Sequence, residues 1–221
     1  MPIFKHFSQF FQAGTKKSHD QSQPTYLIVG LGNKGDKYED TRHNIGRHIV
    51  ASLAADLGGS LIYNPKVEAL VASCSYKDRE VVVLLPENYM NNSGVSVGRY
   101  LNFFKGVYNI IVVHDELDLP LGKIKLSESL NTGGHNGVRS VLDQTTATGG
   151  DILRVRVGIG PNEKASEEVK QMRKWQTKNF VLGKFTPTEE LDLKEVNLKT
   201  ETVLKTLISQ NREAAQKILN K

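Results

Sequence analysis

Apolar residues along the chain follow two different spacings. Residues 26–31 (YLIVGL) form a short apolar run closed by glycine, and 109–115 (NIIVVHD) repeat that form. Each predicts a buried strand. ALVASCSY (69–76) and REVVVLLP (79–86) flank Lys77-Asp78 and predict a hairpin. GKIKLSE (122–128) and ILRVRVGIG (152–160) alternate as half-buried strands do. Between these runs the period becomes helical. From Asn44, an expected N-cap, apolar residues recur at Ile45, Ile49, Leu53 and Leu57, and Gly58-Gly59 stop the run. Val97, Leu101 and Phe104 predict a second helix opening near Ser93, and Val138, Val141 and Leu142 a third, capped near Asn136. Thr186-Pro187-Thr188-Glu189 is a capping box with proline at the first helical position. One C-terminal helix is expected to follow, carrying Val196, Val203, Leu207, Ala214 and Ile218. Strands interleaved with helices predict a single α/β domain, and the hairpin predicts a mixed sheet.

Composition changes this picture in several places. With 221 residues the chain can bury a sizeable core without metal or disulfide staples. Its one cysteine, Cys74, excludes an internal disulfide and any zinc site built on two thiolates. No apolar run approaches the ~18 residues of a membrane helix. The net charge of +5 weakly favours a polyanionic partner such as nucleic acid. Residues 1–25 stand apart as a tail: Lys5, Lys16 and Lys17 face only Asp20, and Phe4, Phe7, Phe10 and Phe11 fall at helical spacing. Such a basic, acid-poor stretch is expected to be either a mitochondrial presequence or a disordered leader in a cytoplasmic protein, with the domain spanning 26–221. It lacks the apolar segment of a secretory signal.

Gly30-Leu31-Gly32-Asn33-Lys34-Gly35 matches the G-x-G-x-x-G dinucleotide fingerprint, but the helix that should open inside it starts only near Asn44. The acid expected after a second strand is absent from LIYN, so a nicotinamide site is rejected. Aspartate follows Gly35, which rules out a P-loop. Ser93 lacks the glycine two residues earlier that a nucleophile elbow needs, and a helix cap is its plainer role. His43 and His48 lie five apart rather than the four that puts two imidazoles on one helix face. No metal is expected.

What remains is a series of amides and histidines at strand ends and helix starts: Asn33, His43-Asn44, Asn91, His114-Asp115 and His135-Asn136. Loops beyond the strand ends of an open α/β sheet converge on its ligand crevice. Carboxamides suit a neutral ligand rich in amides and hydroxyls. A histidine with an aspartate partner is the minimal equipment for activating water.

Five stretches, in order, carry a resemblance: VGLGNKGDKYEDTRHNIG (29–46), NYMNNSG (88–94), HDELDLPLGKIKL (114–126), GGHNGVRS (133–140) and LRVRVGIG (153–160). Over residues 26–219 the sequence resembles the bacterial-type peptidyl-tRNA hydrolase family. The resemblance implies one α/β domain, a mixed twisted sheet with helices on both faces. It implies an esterase that frees tRNA from peptides, acting as a monomer without metal or cofactor on the acceptor end of peptidyl-tRNA. It places His43 as the catalytic base, Asp115 as the acid that orients it, and Asn33 as the residue that tells N-blocked from free aminoacyl-tRNA. Tyr38, Tyr89, Asn91 and Asn136 take substrate-contact positions, and His135 and Arg156 lie near the cleft and the RNA path. Lys123, Lys125, Arg139, Arg154 and Arg156 are the candidate phosphate contacts. The chain departs from the family's usual pattern at Lys34 (commonly proline), Asn88 (commonly threonine), Ser127 (commonly basic), Ser129–Thr132 (commonly glycine-rich) and a longer stretch at 161–176. The alternative expectation is a non-catalytic RNA-binding member, as some plant relatives serve in splicing.

Overall fold

The computed structural model describes residues 25–106, 108–145, 152–161, 166–169, 171 and 177–220. The expected tail up to residue 24 and most of the charged 161–176 stretch lie outside the described residues. Seven strands form one sheet: β1 (Thr25–Gly30), β2 (Ile62–Asn64), β3 (Ala69–Tyr76), β4 (Arg79–Pro86), β5 (Tyr108–Pro120), β6 (Ile124–Ser127) and β7 (Ile152–Gly160). Their spatial order is β2-β3-β4-β1-β5-β7-β6. The central four, β4, β1, β5 and β7, run parallel, while β2 and β3 on one flank and β6 on the other pair antiparallel. The hairpin turns at Lys77-Asp78 as the sequence predicts, both residues taking positive φ (47° and 63°) so that Tyr76 pairs with Arg79.

Helices α1 (Ile45–Asp56), α2 (Ser93–Phe103), α3 (Asn136–Thr145), α4 (Thr177–Val181), α5 (Pro187–Ser209) and α6 (Arg212–Leu219) cover the sheet. The two-residue period of the strands divides the core. Leu27 and Val29 of β1, with Ile110 and Val112 of β5, pack with Val97 of α2 and Val138 and Val141 of α3. Ile28, Ile111 and Val113 point the other way, to Ile45, Ile49 and Leu53 of α1 and Val203 and Leu204 of α5. Both faces of the central strands are therefore buried, which is why they read as unbroken apolar runs.

Four local expectations are corrected. Asn44 flanks α1 but does not cap it; its side chain is drawn to the Asn33 backbone instead. Ser93 caps nothing either, and its hydroxyl donates to the Met90 carbonyl. The start of α3 is satisfied by His135, whose Nδ1 accepts from the Val138 N–H. The C-terminal helix is two: α5 ends at Ser209, and Asn211 caps α6 through its side chain. The capping box at Thr186 and Glu189 forms as read from the sequence.

Arg154 is also corrected. It is 2% exposed, and its Nη2 donates to Ser127 Oγ and to the carbonyls of Ser129 and Asn131. It holds the loop leading to His135 and is not offered to RNA phosphate. Arg154→Ala leaves two loop carbonyls without a charged donor, which costs on the order of 2–3 kcal/mol. Thermal unfolding is expected to fall by about 5–10 °C. An unchanged melting temperature with a weakened salt dependence of tRNA binding would restore the phosphate role.

Candidate active site

The carboxyl ends of β1 and β4 and the second half of β5 open on one cleft of about 690 Å³. Its approach to the sheet is set by a glycine. A Cβ at Gly46 would lie 2.3 Å from the Val113 carbonyl oxygen, so only glycine lets α1 start against β5. That contact brings the 3-10 turn Arg42–Asn44, which carries His43, beside Asp115.

His43 Nδ1 lies 2.9 Å from both oxygens of Asp115, and His135 Nε2 lies 2.8 Å from Oδ1. The tautomer of His135 follows from its neighbours. Because its Nδ1 accepts the Val138 N–H, its Nε2 carries the proton and donates to Asp115. Asp115 is 3% exposed. Burial alone would raise its carboxyl, but the two imidazoles beside it outweigh burial and hold it far below the usual carboxylate range. Burial works to lower the pKa of His43, but the charge of Asp115 and the hydrogen bond to it prevail, and the pKa is raised above 6.5. An ionised Asp115 takes the Nδ1 proton of His43 as a hydrogen bond, leaving Nε2 without a partner among the described residues.

Behind this group stands His114, fully buried, its ring 4.8 Å from that of His135. Its Nδ1 donates to the Asp115 carbonyl, and its Nε2 has no partner among the described residues. Burial first, then the neighbouring His135, push its pKa well below 6.5, so it is neutral.

Asn33, 7% exposed, is fixed as tightly. Its backbone N–H and carbonyl are both bonded by the Asn44 side chain, and its Oδ1 accepts the Met90 N–H. With the oxygen so engaged, the NH2 group of the carboxamide is what Asn33 offers to the cleft. Tyr38 and Tyr89 meet edge to face at 6.4 Å, with Lys37 4.7 Å from the first ring and Lys34 5.9 Å from the second.

Of the nine residues singled out from the sequence, eight line the cleft: Asn33, Tyr38, His43, Tyr89, Asn91, Asp115, His135 and Asn136. Arg156 does not. Its guanidinium is 2.9 Å from Glu116, a cleft-lining residue, so it stands one side chain behind the wall. Sequence reasoning missed Glu116 itself, Met90, and Lys178, Val181 and Leu182 of the α4 wall. The short α4 carries too few periodic positions to be read, although its Phe180 is fully buried.

His43, Asp115 and His135 offer ligand atoms within 4.8 Å of one another, a grouping that could hold a metal ion. The Val138 N–H argues against it. Ligation through His135 Nε2 needs that nitrogen deprotonated, which moves the proton to Nδ1 against another donor.

Comparison with known proteins gives the family of the chain. The family model described as peptidyl-tRNA hydrolase matches residues 27–221. A peptidyl-tRNA hydrolase of Rhodococcus erythropolis is 38% identical over 200 residues, covering 90% of this chain and all of the relative. One from Francisella tularensis subsp. novicida is 47% identical over 135 residues, 61% of this chain and 70% of the relative. Among solved structures, a peptidyl-tRNA hydrolase in complex with N-propanol superposes with a TM-score of 0.73 at 33% identity, covering 91% of this chain and 97% of that one. The enzyme from Acinetobacter baumannii gives 0.71 at 32% identity, covering 89% and 93%. With the matched region running from β1 through α6 and enclosing every residue of the cleft, the chain belongs to the peptidyl-tRNA hydrolase family.

Proposed function

We propose that this protein hydrolyses the ester joining the carboxyl of a peptide, or of an N-blocked aminoacyl group, to the terminal ribose of tRNA. The observation that carries the reading is the His43–Asp115 pair, with its free Nε2 in a cleft lined by carboxamides. Nε2 takes a proton from water as the water oxygen bonds to the ester carbonyl carbon. The ionised Asp115 steadies the imidazolium that forms. On collapse the carbon–oxygen bond to the ribose breaks, and His43 returns the proton to the departing ribose oxygen. The products are a carboxylic acid and a tRNA with a free hydroxyl. Asn91 and Asn136 offer further amide donors at the cleft rim, where the developing oxyanion and the peptide need them. The Tyr38–Tyr89 pair, flanked by Lys34 and Lys37, suits a stacked base and its phosphate at the acceptor end. All of these groups come from one chain, so a monomer suffices. Turnover of N-acetyl-aminoacyl-tRNA by the wild type, lost in His43→Ala, tests the reading. Binding of this substrate without turnover would leave an RNA platform instead.

Asn33 sets the choice between blocked and free substrates. Its NH2 group donates to the carbonyl of the blocking group. A free α-amine titrates near ~7.7–8.0 and offers no such acceptor. Leaving the donor unpaired costs roughly 1–3 kcal/mol, a factor of about five to 150. Asn33→Asp keeps the acceptor for the Met90 N–H but replaces the donor with a charged oxygen. Activity on blocked substrate is expected to fall, and relative activity on free aminoacyl-tRNA to rise. An unchanged ratio of kcat/KM for the two substrates would place discrimination elsewhere.

Phosphate contact falls to the exposed Lys123, Lys125 and Arg139. Each true contact adds roughly 0.7–0.9 to the slope of log K against log salt. Residues 1–24 act as an address segment with no part in the chemistry, since Thr25 opens the first strand. Removing them is expected to leave kcat/KM within about twofold, and fusing them to a fluorescent protein tests a mitochondrial destination. A large loss of turnover on truncation would put the tail in the active domain.

A further inference from the structure

The turn that carries His43 is fastened to a distant part of the chain through the residue beside it. Arg42 is 3% exposed, and its guanidinium reaches several groups. Nη1 donates to the carbonyls of Lys184 (2.6 Å) and Phe180 (3.5 Å), and Nη2 pairs with Glu189 Oε2 at 2.7 Å. The guanidinium carbon lies 4.4 Å from the centroid of the Phe180 ring. The Arg42 backbone N–H donates to the Gly183 carbonyl, Thr41 and Lys184 form a bridge, and Lys184 pairs with Asp40. Glu189 is shared. The oxygen that takes Arg42 also accepts the Thr186 N–H in the capping box of α5. The segment held in this way is the one that supplies Lys178, Val181 and Leu182 to the cleft wall.

A buried ion pair is a poor way to gain stability, because desolvating two charges offsets much of their attraction. Apolar residues would anchor the segment at less cost. What the planar fork adds is direction: several acceptors at fixed angles, which lysine or an aliphatic side chain cannot satisfy together. We propose that Arg42 and Glu189 are positioning residues that hold the base-bearing turn and the α4 wall in one fixed relation, and so aim His43 at both Asp115 and the substrate. This rests on the hydrolase reading above. Asp115 of β5 and His135 before α3 meet His43 directly, and the other titratable groups that line the cleft with it are Glu116 of β5, Tyr38, Tyr89 and Lys178.

The test uses the full chain with Arg42→Lys, Glu189→Gln and their double variant. Arg42→Lys keeps the charge and loses the fork. Glu189→Gln keeps a side chain suited to the capping box and loses the counter-charge. Val203→Ala, in the core of α5, is the control for general loosening. Two quantities are read: kcat and KM on N-acetyl-aminoacyl-tRNA, and the titration midpoint of His43 by NMR. Both single variants are expected to lower kcat by roughly tenfold or more, as a base displaced by a fraction of an ångström does, with KM within about twofold. As the bond to Asp115 loosens, the His43 midpoint should fall toward ~6.5. The double variant should be little worse than Arg42→Lys, since the two residues act as a unit. Val203→Ala at an equal loss of melting temperature should keep the wild-type midpoint. An unmoved midpoint in folded Arg42→Lys and Glu189→Gln, or an equal shift in the control, overturns the proposal. If Arg42→Lys does not fold, Glu189→Gln alone decides. Absence of turnover in the wild type would sink the hydrolase reading, while the NMR midpoint would still decide the positioning role.

Discussion

Replacing Asp115 by asparagine is expected to lower kcat/KM by roughly 10³–10⁴-fold without unfolding the protein; a change of that size follows when an orienting carboxylate is made an amide. The reason lies in the two imidazoles that share this side chain. His135 has its proton fixed on Nε2 by the Val138 N–H, so it must find an acceptor at the Oδ1 position. The new amide oxygen therefore goes there, and the amide NH2 takes the Oδ2 position, 2.9 Å from His43 Nδ1. His43 then prefers to accept at Nδ1 and carry its proton on Nε2, the nitrogen that should receive one from water. Loss of the carboxylate charge also removes what holds the His43 pKa up, leaving burial to lower it. The acid limb of the rate profile should move to lower pH while the plateau collapses. Near wild-type turnover in Asp115→Asn would show that the tautomer of His43 does not matter to the reaction.

His43→Ala removes the proposed base and is expected to cost roughly 10²–10⁴-fold in kcat/KM. The side chain is a cleft-facing group on a short turn, and its loss opens no buried core. The melting temperature should therefore stay close to that of the wild type. In the wild type, kcat/KM should fall toward acid with a midpoint above 6.5, because the raised pKa keeps His43 protonated, and so unable to act, to a higher pH. An alanine variant that kept more than about a tenth of the activity would require another base. His114, neutral but sealed away, is no substitute, and Cys74 sits in β3 with a thiol pushed up by burial.

What could be read from residues alone follows from where each interaction closes. Buried parallel strands such as YLIVGL and NIIVVHD announce themselves because both faces must be apolar, and β1 is misplaced by only one residue. The hairpin at Lys77-Asp78 closes between neighbours in sequence, so it too was legible. The break between α5 and α6 was not, because apolar spacing runs through Gln210 and Asn211 without interruption. Asn44 and Ser93 look like caps by position, yet the partners they take are set by tertiary packing and by a preceding 3-10 turn. Arg154 alternates in β7 like an exposed strand residue, and only the loop folded over it shows why it is buried. The cleft was legible as a set of polar residues at strand ends. The pairing of His135 with Asp115, and the α4 wall, depend on how distant segments meet.

The bond from Arg42 to Glu189 spans 147 positions of sequence, and that from Arg42 to Phe180 spans 138. Such separations have a consequence in time. Contacts that close long loops form late, after the chain has given up the entropy of bringing its ends together. During synthesis the sheet can begin to assemble around β1 once β4 and β5 have been made. The turn that aims His43 must wait for the last quarter of the chain. A nascent or prematurely ended copy that stops before residue 180 therefore carries His43 and Asp115 but not the segment that aligns them. On the positioning role proposed above, such a copy is expected to turn over substrate at least about tenfold more slowly than the full chain.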